Sequence, residues 1–272
     1  MKRIVTLFIA LPILLLFGCD GGHAPDYDLT APLPPVGITS TSLDHAVELR
    51  WIENQENDIS GYNVYVSTSF RGRYELIGSA RIASYVDRGA ANGNTYYYAV
   101  TAYDFSGNES ELSRDVAYDT PRPEGRNVVL SDRLRDPTRG GYDFSEYRVI
   151  HYDTDNTDVY LEIDSKNVPY FVVWEDSDIQ DMGYTKNIDE ISAAPEGGWN
   201  PTKDASIVKG HTYVVWTFDN HFAKVRVTDV TATSVVLDWA YQTATGNPEL
   251  FRRDGGGLSK RSRVAVTARA VH

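Results

Sequence analysis

The sequence predicts an all-β protein built as two successive antiparallel units behind an N-terminal export segment. Three observations carry that reading. Short runs of alternating apolar and polar residues recur from about residue 36 onward, separated by turn-forming residues. Eighteen tyrosines, 21 glycines and 12 prolines suit strands joined by many turns. No stretch sustains a helical period, and beyond the first 18 residues no apolar run approaches the ~20 residues of a membrane helix.

The first element is Met1 to Gly18. Lys2 and Arg3 precede an apolar run, Ile4 to Phe17, broken only by Thr6 and Pro12, which reads as a secretory signal peptide. It closes in Leu16-Phe17-Gly18-Cys19, which resembles a bacterial lipobox. The resemblance implies that Cys19 carries lipid and becomes the mature N-terminus. Cys19 is the only cysteine of 272 residues, so an internal disulfide is excluded and a thioether-linked lipid explains the odd thiol. Two or three acyl chains, at about 0.8 kcal/mol per buried methylene, anchor a protein without any spanning helix. The expected location is the cell envelope, lipid-anchored to a bacterial membrane, with inner or outer left open. Residues 19–35 hold several prolines and glycines and little to bury, and they read as an extended tether.

Residues 36–120 alternate in Ala46 to Trp51, Tyr62 to Val66, Tyr74 to Gly78, Ser84 to Asp87 and Thr95 to Tyr103. Leu49-x-Trp51, Gly61-Tyr62-x-Val64-Tyr65, Asn94 to Ala102 and Asp104-x-Ser106-Gly107-Asn108-Glu109-Ser110 resemble, in order, strands B, C and F and the turn into strand G of a fibronectin type III domain. The resemblance implies a seven-stranded sandwich with Trp51 between the sheets and Tyr96 as the tyrosine corner. It implies no catalytic apparatus. Pro121 to Gly125 reads as a stiff hinge.

Residues 126–248 form the second unit, with alternating runs at Tyr147 to Tyr152, Val159 to Ile163, Tyr170 to Trp174, Thr212 to Phe218, Ala223 to Val230 and Val235 to Tyr241. Asp219-Asn220 predicts a two-residue turn, with 218 opposite 221 and 211 opposite 228. Thr231 to Ser234 reverses the chain again, giving a three-stranded meander. Residues 195–205 are irregular. The order Gly210 to Val227 followed by Asp238 to Gln242 is similar to the C-terminal part of HmuY-type surface lipoproteins, a likeness that implies an all-β fold and raises haem as a ligand. Residues 249–272 form a basic tail of charge +4, six Lys and Arg against Glu249 and Asp254, with a possible final strand at Val264 to Val271.

The net charge of −12 becomes −14 once Lys2 and Arg3 are removed, which excludes nucleic acid as a natural partner. Haem needs axial ligands, and the second unit offers His151, His211 and His221, besides Met182 and His272. The predicted hairpin sets His211 and His221 at opposite ends, roughly 20 Å apart at ~3.3 Å per residue. Asp153, Asp155 and Asp158 place hard oxygen ligands at near-alternate positions, as calcium requires, although the stretch lacks the glycine and distal glutamate of an EF-hand. Glu175, Asp176, Asp178 and Asp181 form a second acidic cluster. Turns rich in Asp and Asn account for both segments without any ion. Trp174, Tyr184 and Trp199 could form a sugar-stacking platform, though aromatics at such positions also serve as core. No nucleophile elbow, zinc-binding His-Glu-x-x-His or phosphate loop is present. The sequence therefore predicts no enzyme and no resident cofactor, with calcium or haem as alternatives. It predicts a membrane-held, non-catalytic binding or scaffolding protein whose partner is a protein or glycan, the rival being ligand capture of haem or glycan by the second unit.

Overall fold

The computed structural model describes residues 28–115 and 117–251. The expectations for the signal peptide, for Cys19 and for the tail beyond residue 251 lie outside the described residues. Among the described residues no helix is long and apolar enough to cross a membrane.

The described residues form 17 strands and two single 3-10 turns, Pro137–Arg139 and Ile188–Glu190. The first sandwich comprises β1 (Val36–Leu43), β2 (Ala46–Ile52), β3 (Ile59–Ser67), β4 (Glu75–Ala80), β5 (Ser84–Asp87), β6 (Tyr96–Asp104) and β7 (Ala117–Asp119). One sheet runs β1-β2-β5 and the other β4-β3-β6-β7. Alternation does the sorting: Val47, Leu49 and Trp51 turn inward from β2 against Tyr62, Val64, Tyr98 and Val100. The Trp51 ring meets Tyr62 edge-on at 5.2 Å. The Tyr96 hydroxyl accepts from the Ala91 N–H at 3.1 Å, five residues upstream, as a tyrosine corner does.

The second sandwich holds β8 (Glu124–Ser131), β9 (Gly141–Asp143), β10 (Arg148–Ile150), β11 (Val159–Ile163), β12 (Pro169–Val172), β13 (Asp178–Tyr184), β14 (Asp204–Ser206), β15 (His211–Trp216), β16 (Phe222–Val230) and β17 (Ser234–Gln242). Two five-stranded sheets, β10-β9-β11-β12-β14 and β13-β15-β16-β17-β8, enclose Leu130, Tyr142, Phe144, Leu161, Phe171, Tyr213, Val225, Leu237 and Trp239. β15, β16 and β17 form the expected meander, but its first turn differs. Trp216 pairs with Phe222, and Thr217 N–H bonds His221 O at 2.9 Å. The loop is therefore Phe218-Asp219-Asn220, closed by Asn220 in the left-handed region (φ 64°). A type I turn followed by a left-handed residue needs three positions, and the Thr217 hydroxyl, bonded to Asp219 and to His221, favours it over a two-residue turn. The register moves by one, so Gly210 N–H meets Val227 O.

Pro121 to Gly125 is not a free hinge. Pro121, Arg122 and Pro123 are buried, Gly93 N–H donates to Pro121 O at 2.9 Å, and Arg122 N–H donates to Leu43 O at 3.2 Å. β8 then starts at Glu124, where Gly125 lies flat against the Trp239 indole, leaving no room for a Cβ. Glu249 and Leu250, read from sequence as tail, are buried in the body: Leu250 N–H bonds Ser192 O at 2.8 Å, and Gln242 Nε2 bonds Glu249 O at 2.9 Å. Arg122, fully buried, donates Nε–H to Leu250 O and lies 3.5 Å from Glu124. Its guanidinium stands 5.6 Å from the Phe251 ring centre, and the ammonium of buried Lys224 stands 4.9 Å from the same centre. Beside them Asp119 and Glu249 share a hydrogen bond between carboxyls. Burial, together with the Asp119 charge, pushes Glu249 up to about 8. Burial and the Arg122 charge press Lys224 down to about 6. The two sandwiches meet through this buried charged joint.

Candidate functional site

The three histidines are held apart, each by its own neighbours. His151 follows β10, stacks on Tyr152 at 5.2 Å and accepts the Asp153 N–H at Nδ1. His211 opens β15 with Nδ1 2.9 Å from Asp181. His221 stands at the far end of that hairpin, with Nδ1 3.1 Å from Asp219 and Nε2 3.1 Å from the Thr245 hydroxyl. The structure does not bring them around one ligand. His151 lines a shallow open groove of 490 Å³ together with Arg148, Thr154, Asp155 and Asn156.

The acidic stretch after β10 is likewise divided. Asp153 and Asp155 are exposed in a turn closed by Thr157 N–H to Thr154 O, whereas Asp158 is buried. Asp158 accepts the Phe144 N–H at 2.7 Å, and its neighbour across the strands is Asp143, with no exposed surface. Burial lifts the Asp158 carboxyl to about 7, and the charges of Asp143 and Asp219 push the same way. The structure thus divides the trio read from the sequence: Asp153 and Asp155 are exposed, whereas Asp158 is buried beside Asp143, which the sequence reading missed. In the second acidic cluster, Asp178 is tied to Lys203 at 2.7 Å and Asp181 to His211. Among the described residues Asp28, Asp58 and Asp104 are the one trio of carboxylates with ligand atoms all within 4.8 Å of one another.

Two aromatic clusters reach the surface, each resting on a buried ring, Phe222 in one and Tyr160 in the other. On β15, Tyr213 and Val215 enter the main core, so the alternation turns Val214 and Trp216 to the other face of the sheet, where Val214, Phe222, Ala194 and Leu250 form a small separate core with Trp199 packed against it. On β16, Ala223 and Val225 point in, and Phe222 points out directly opposite Trp216. Their rings lie 5.5 Å apart at 25°, and Trp199, from the irregular segment, joins at 5.9 Å from Trp216 and 6.5 Å from Phe222. Trp216 remains 36% exposed and nearby Phe218 51%. The Trp216 indole N–H bonds Asn220 Oδ1 at 2.9 Å, which fixes the ring. The side chain of Gln180 reaches Gly198, next to Trp199, and its Oε1 is buried without a hydrogen-bond partner. The second cluster joins His151, Tyr152, Tyr160 and Trp174 in a row with ring spacings of 5.2 to 5.6 Å, with Arg133 over Tyr152 at 5.4 Å. Trp174, Tyr184 and Trp199 therefore do not share one platform. Trp174 lies in the second cluster, Trp199 in the first, and exposed Tyr184 covers Gly210. Strand parity could have singled out Trp216, because Tyr213 and Val215 leave it no place in the core.

No protein-family model matches the chain. It is 43% identical over 111 residues to an amylopullulanase of Thermoanaerobacterium saccharolyticum and 33% identical over 162 residues to one of Thermoanaerobacterium thermosulfurigenes. To chitinase Chi52 of Paenibacillus xylanexedens it is 32% identical over 119 residues. These stretches take in 40%, 59% and 41% of this chain but only 8%, 8% and 22% of those proteins. The chain thus spans less than a quarter of the length of these curated relatives. Among solved structures, a Fn3-like protein from Clostridium thermocellum is 32% identical over its whole length and 35% of this chain, with a TM-score of 0.30. With three strands facing four in the order β1-β2-β5 and β4-β3-β6-β7, a tryptophan between them and a tyrosine corner, the first sandwich is a fibronectin type III-like domain.

Proposed function

We propose that this protein is a non-catalytic, carbohydrate-binding lipoprotein of the bacterial cell envelope. In this reading the lipid on Cys19 holds it to the membrane and residues 20–35 stand it off. The fibronectin type III-like domain is a spacer, and the second sandwich presents the binding surface. The observation that carries the reading is Trp216, which stays exposed near Phe218 and rests on half-buried Trp199 and buried Phe222, with Asn220 and Gln180 beside it. An exposed ring held from behind offers the apolar face on which a pyranose stacks, and fixed polar groups at the rim meet its hydroxyls. The likeness of part of this chain to part of an amylopullulanase and of a chitinase supports the same ligand class.

The test is retention of residues 20–272 in native gels containing soluble α-glucan and on insoluble chitin and cellulose. Retardation by at least one polysaccharide, abolished by Trp216→Ala and Trp199→Ala in folded protein, is the expected result. Absence of retardation on all of them removes the glycan reading. Release of reducing sugar by the purified protein overturns the non-catalytic one. The anchor has its own readout: Cys19→Ser should shift the protein from the membrane fraction to the soluble fraction.

A further inference from the structure

The strongest chemistry outside the aromatic surface lies between β9 and β11. Tyr142 pairs with Val159, and the next residue on each strand is an aspartate, Asp143 and Asp158. The ladder continues into Asp158 N–H to Tyr142 O at 3.0 Å, which sets the two side by side. Asp143 has no exposed surface and Asp158 only 4%. Two carboxylates abreast on neighbouring strands repel, and no Lys, Arg or His stands within ion-pair distance of either among the described residues. Asp143 spends one oxygen, Oδ1, on Ser145 N–H (3.0 Å), Ser145 Oγ–H (2.7 Å) and Glu146 N–H (3.0 Å). Its other oxygen, Oδ2, is buried with no hydrogen-bond partner among the described residues. A buried carboxylate oxygen left bare is costly, and folds supply such an atom with a donor or a cation. Asp219, farther off on the β15–β16 turn, adds a third negative charge that acts on Asp158.

We propose that Asp143 and Asp158 form a buried site for a hard divalent cation of the calcium type. The unpartnered Asp143 Oδ2 supplies one ligand and the Asp158 carboxylate another. Asp219 contributes charge and not direct ligation. The site ties β9 to β11, so its occupancy stabilises the second sandwich, independently of whether the aromatic surface binds glycan.

The experiment is terbium titration of residues 20–272 with excitation of the aromatic side chains, because Tyr142, Phe144 and Trp239 cluster within 5.2 to 6.1 Å of one another next to the site. The expected result is saturable sensitised emission displaced by calcium, with a melting temperature that calcium raises and chelator lowers. Asp143→Asn and Asp158→Asn should each weaken terbium at least tenfold and abolish the calcium effect on melting, while Asp153→Asn and Asp155→Asn leave both unchanged. Should either core variant fail to fold, Asp219→Asn replaces it, with a smaller weakening expected. Emission that survives all three core variants, or that disappears in Asp104→Asn instead, overturns the proposal. So does Asp143→Asn raising the melting temperature with no calcium response in the parent protein, which would identify a shared proton where the cation was placed.

Discussion

The two sandwiches use the same two-sheet architecture and differ in what they leave at the surface. In the fibronectin type III-like domain Tyr98 closes on Asp87, and the Ala102 and Val100 N–H groups close on Ser110 and Ser113, while Trp51 Nε1 is buried without a hydrogen-bond partner among the described residues. In the second sandwich Trp239 Nε1 repeats that feature, joined by Asp143 Oδ2 and Gln180 Oε1. Both interiors therefore tolerate an open indole N–H. The second differs in holding an open carboxylate oxygen inside and Trp216 outside, stacked on buried Phe222.

The largest test of the contrast is its shared core. Phe171→Ala removes a fully buried ring from the second sandwich and should cost about 3–5 kcal/mol, enough to melt that unit first in a calorimetric scan. The joint comes next. Arg122→Ala removes the Nε–H bond to Leu250 O and one of the two cations beside Glu124, an expected loss of roughly 1–3 kcal/mol. The parent protein should melt in one transition and the variant in two, because the joint couples the sandwiches. A single transition in the variant would mean that hydrogen bonds such as Arg122 N–H to Leu43 O and Gly93 N–H to Pro121 O suffice.

The joint also predicts a pH dependence of defined sign. Glu249 is raised from 4.5 to about 8, so its contribution is fully present below pH 4.5 and is lost as pH rises through about 8. Lys224, pressed down to about 6, works in the opposite direction above pH 6, where the unfolded chain holds a proton that the fold does not. Between pH 4.5 and 6 the Asp119–Glu249 pair and Asp158, itself raised to about 7, act in the same direction. The melting temperature should fall across that interval, and Glu249→Gln should flatten the slope. A slope unchanged in the variant would assign the effect to other carboxyls. Smaller still is Gly125→Ala, expected to cost about 1–3 kcal/mol because its Cβ would overlap the Trp239 indole. Smallest is Asn220→Ala, about 1 kcal/mol for a left-handed position that alanine dislikes, measured by chemical denaturation.

The first sandwich was legible because its strands follow one another at short range. Ala46 to Trp51 and Ser84 to Asp87 are strands within one residue of the reading, and their alternation alone assigns the inner face. Val159 to Ile163 was legible for the same reason. Four strands of the second sandwich escaped. β9 and β14 are three residues long, too short to show a period, and β8 starts inside what reads as a proline hinge. β13 carries Asp178 opposite Trp216 and Asp181 opposite Tyr213, on opposite faces of the strand, so charge interrupts the alternation. The separation of the histidines needed only the hairpin and survived a one-residue error in its turn.

Sequence by itself determined the all-β class, the fibronectin type III-like domain, the meander and the acidic balance, since each depends on local period, turn chemistry or counting. Tertiary structure alone decided that Asp158 faces Asp143, that Trp199 meets Trp216 and Phe222, and that Arg122 lies buried against Leu250. Those partners are 15, 17, 23 and 128 residues apart in the chain. Their meeting is fixed by how sheets pair and close on a shared core, an interaction that no window of sequence contains.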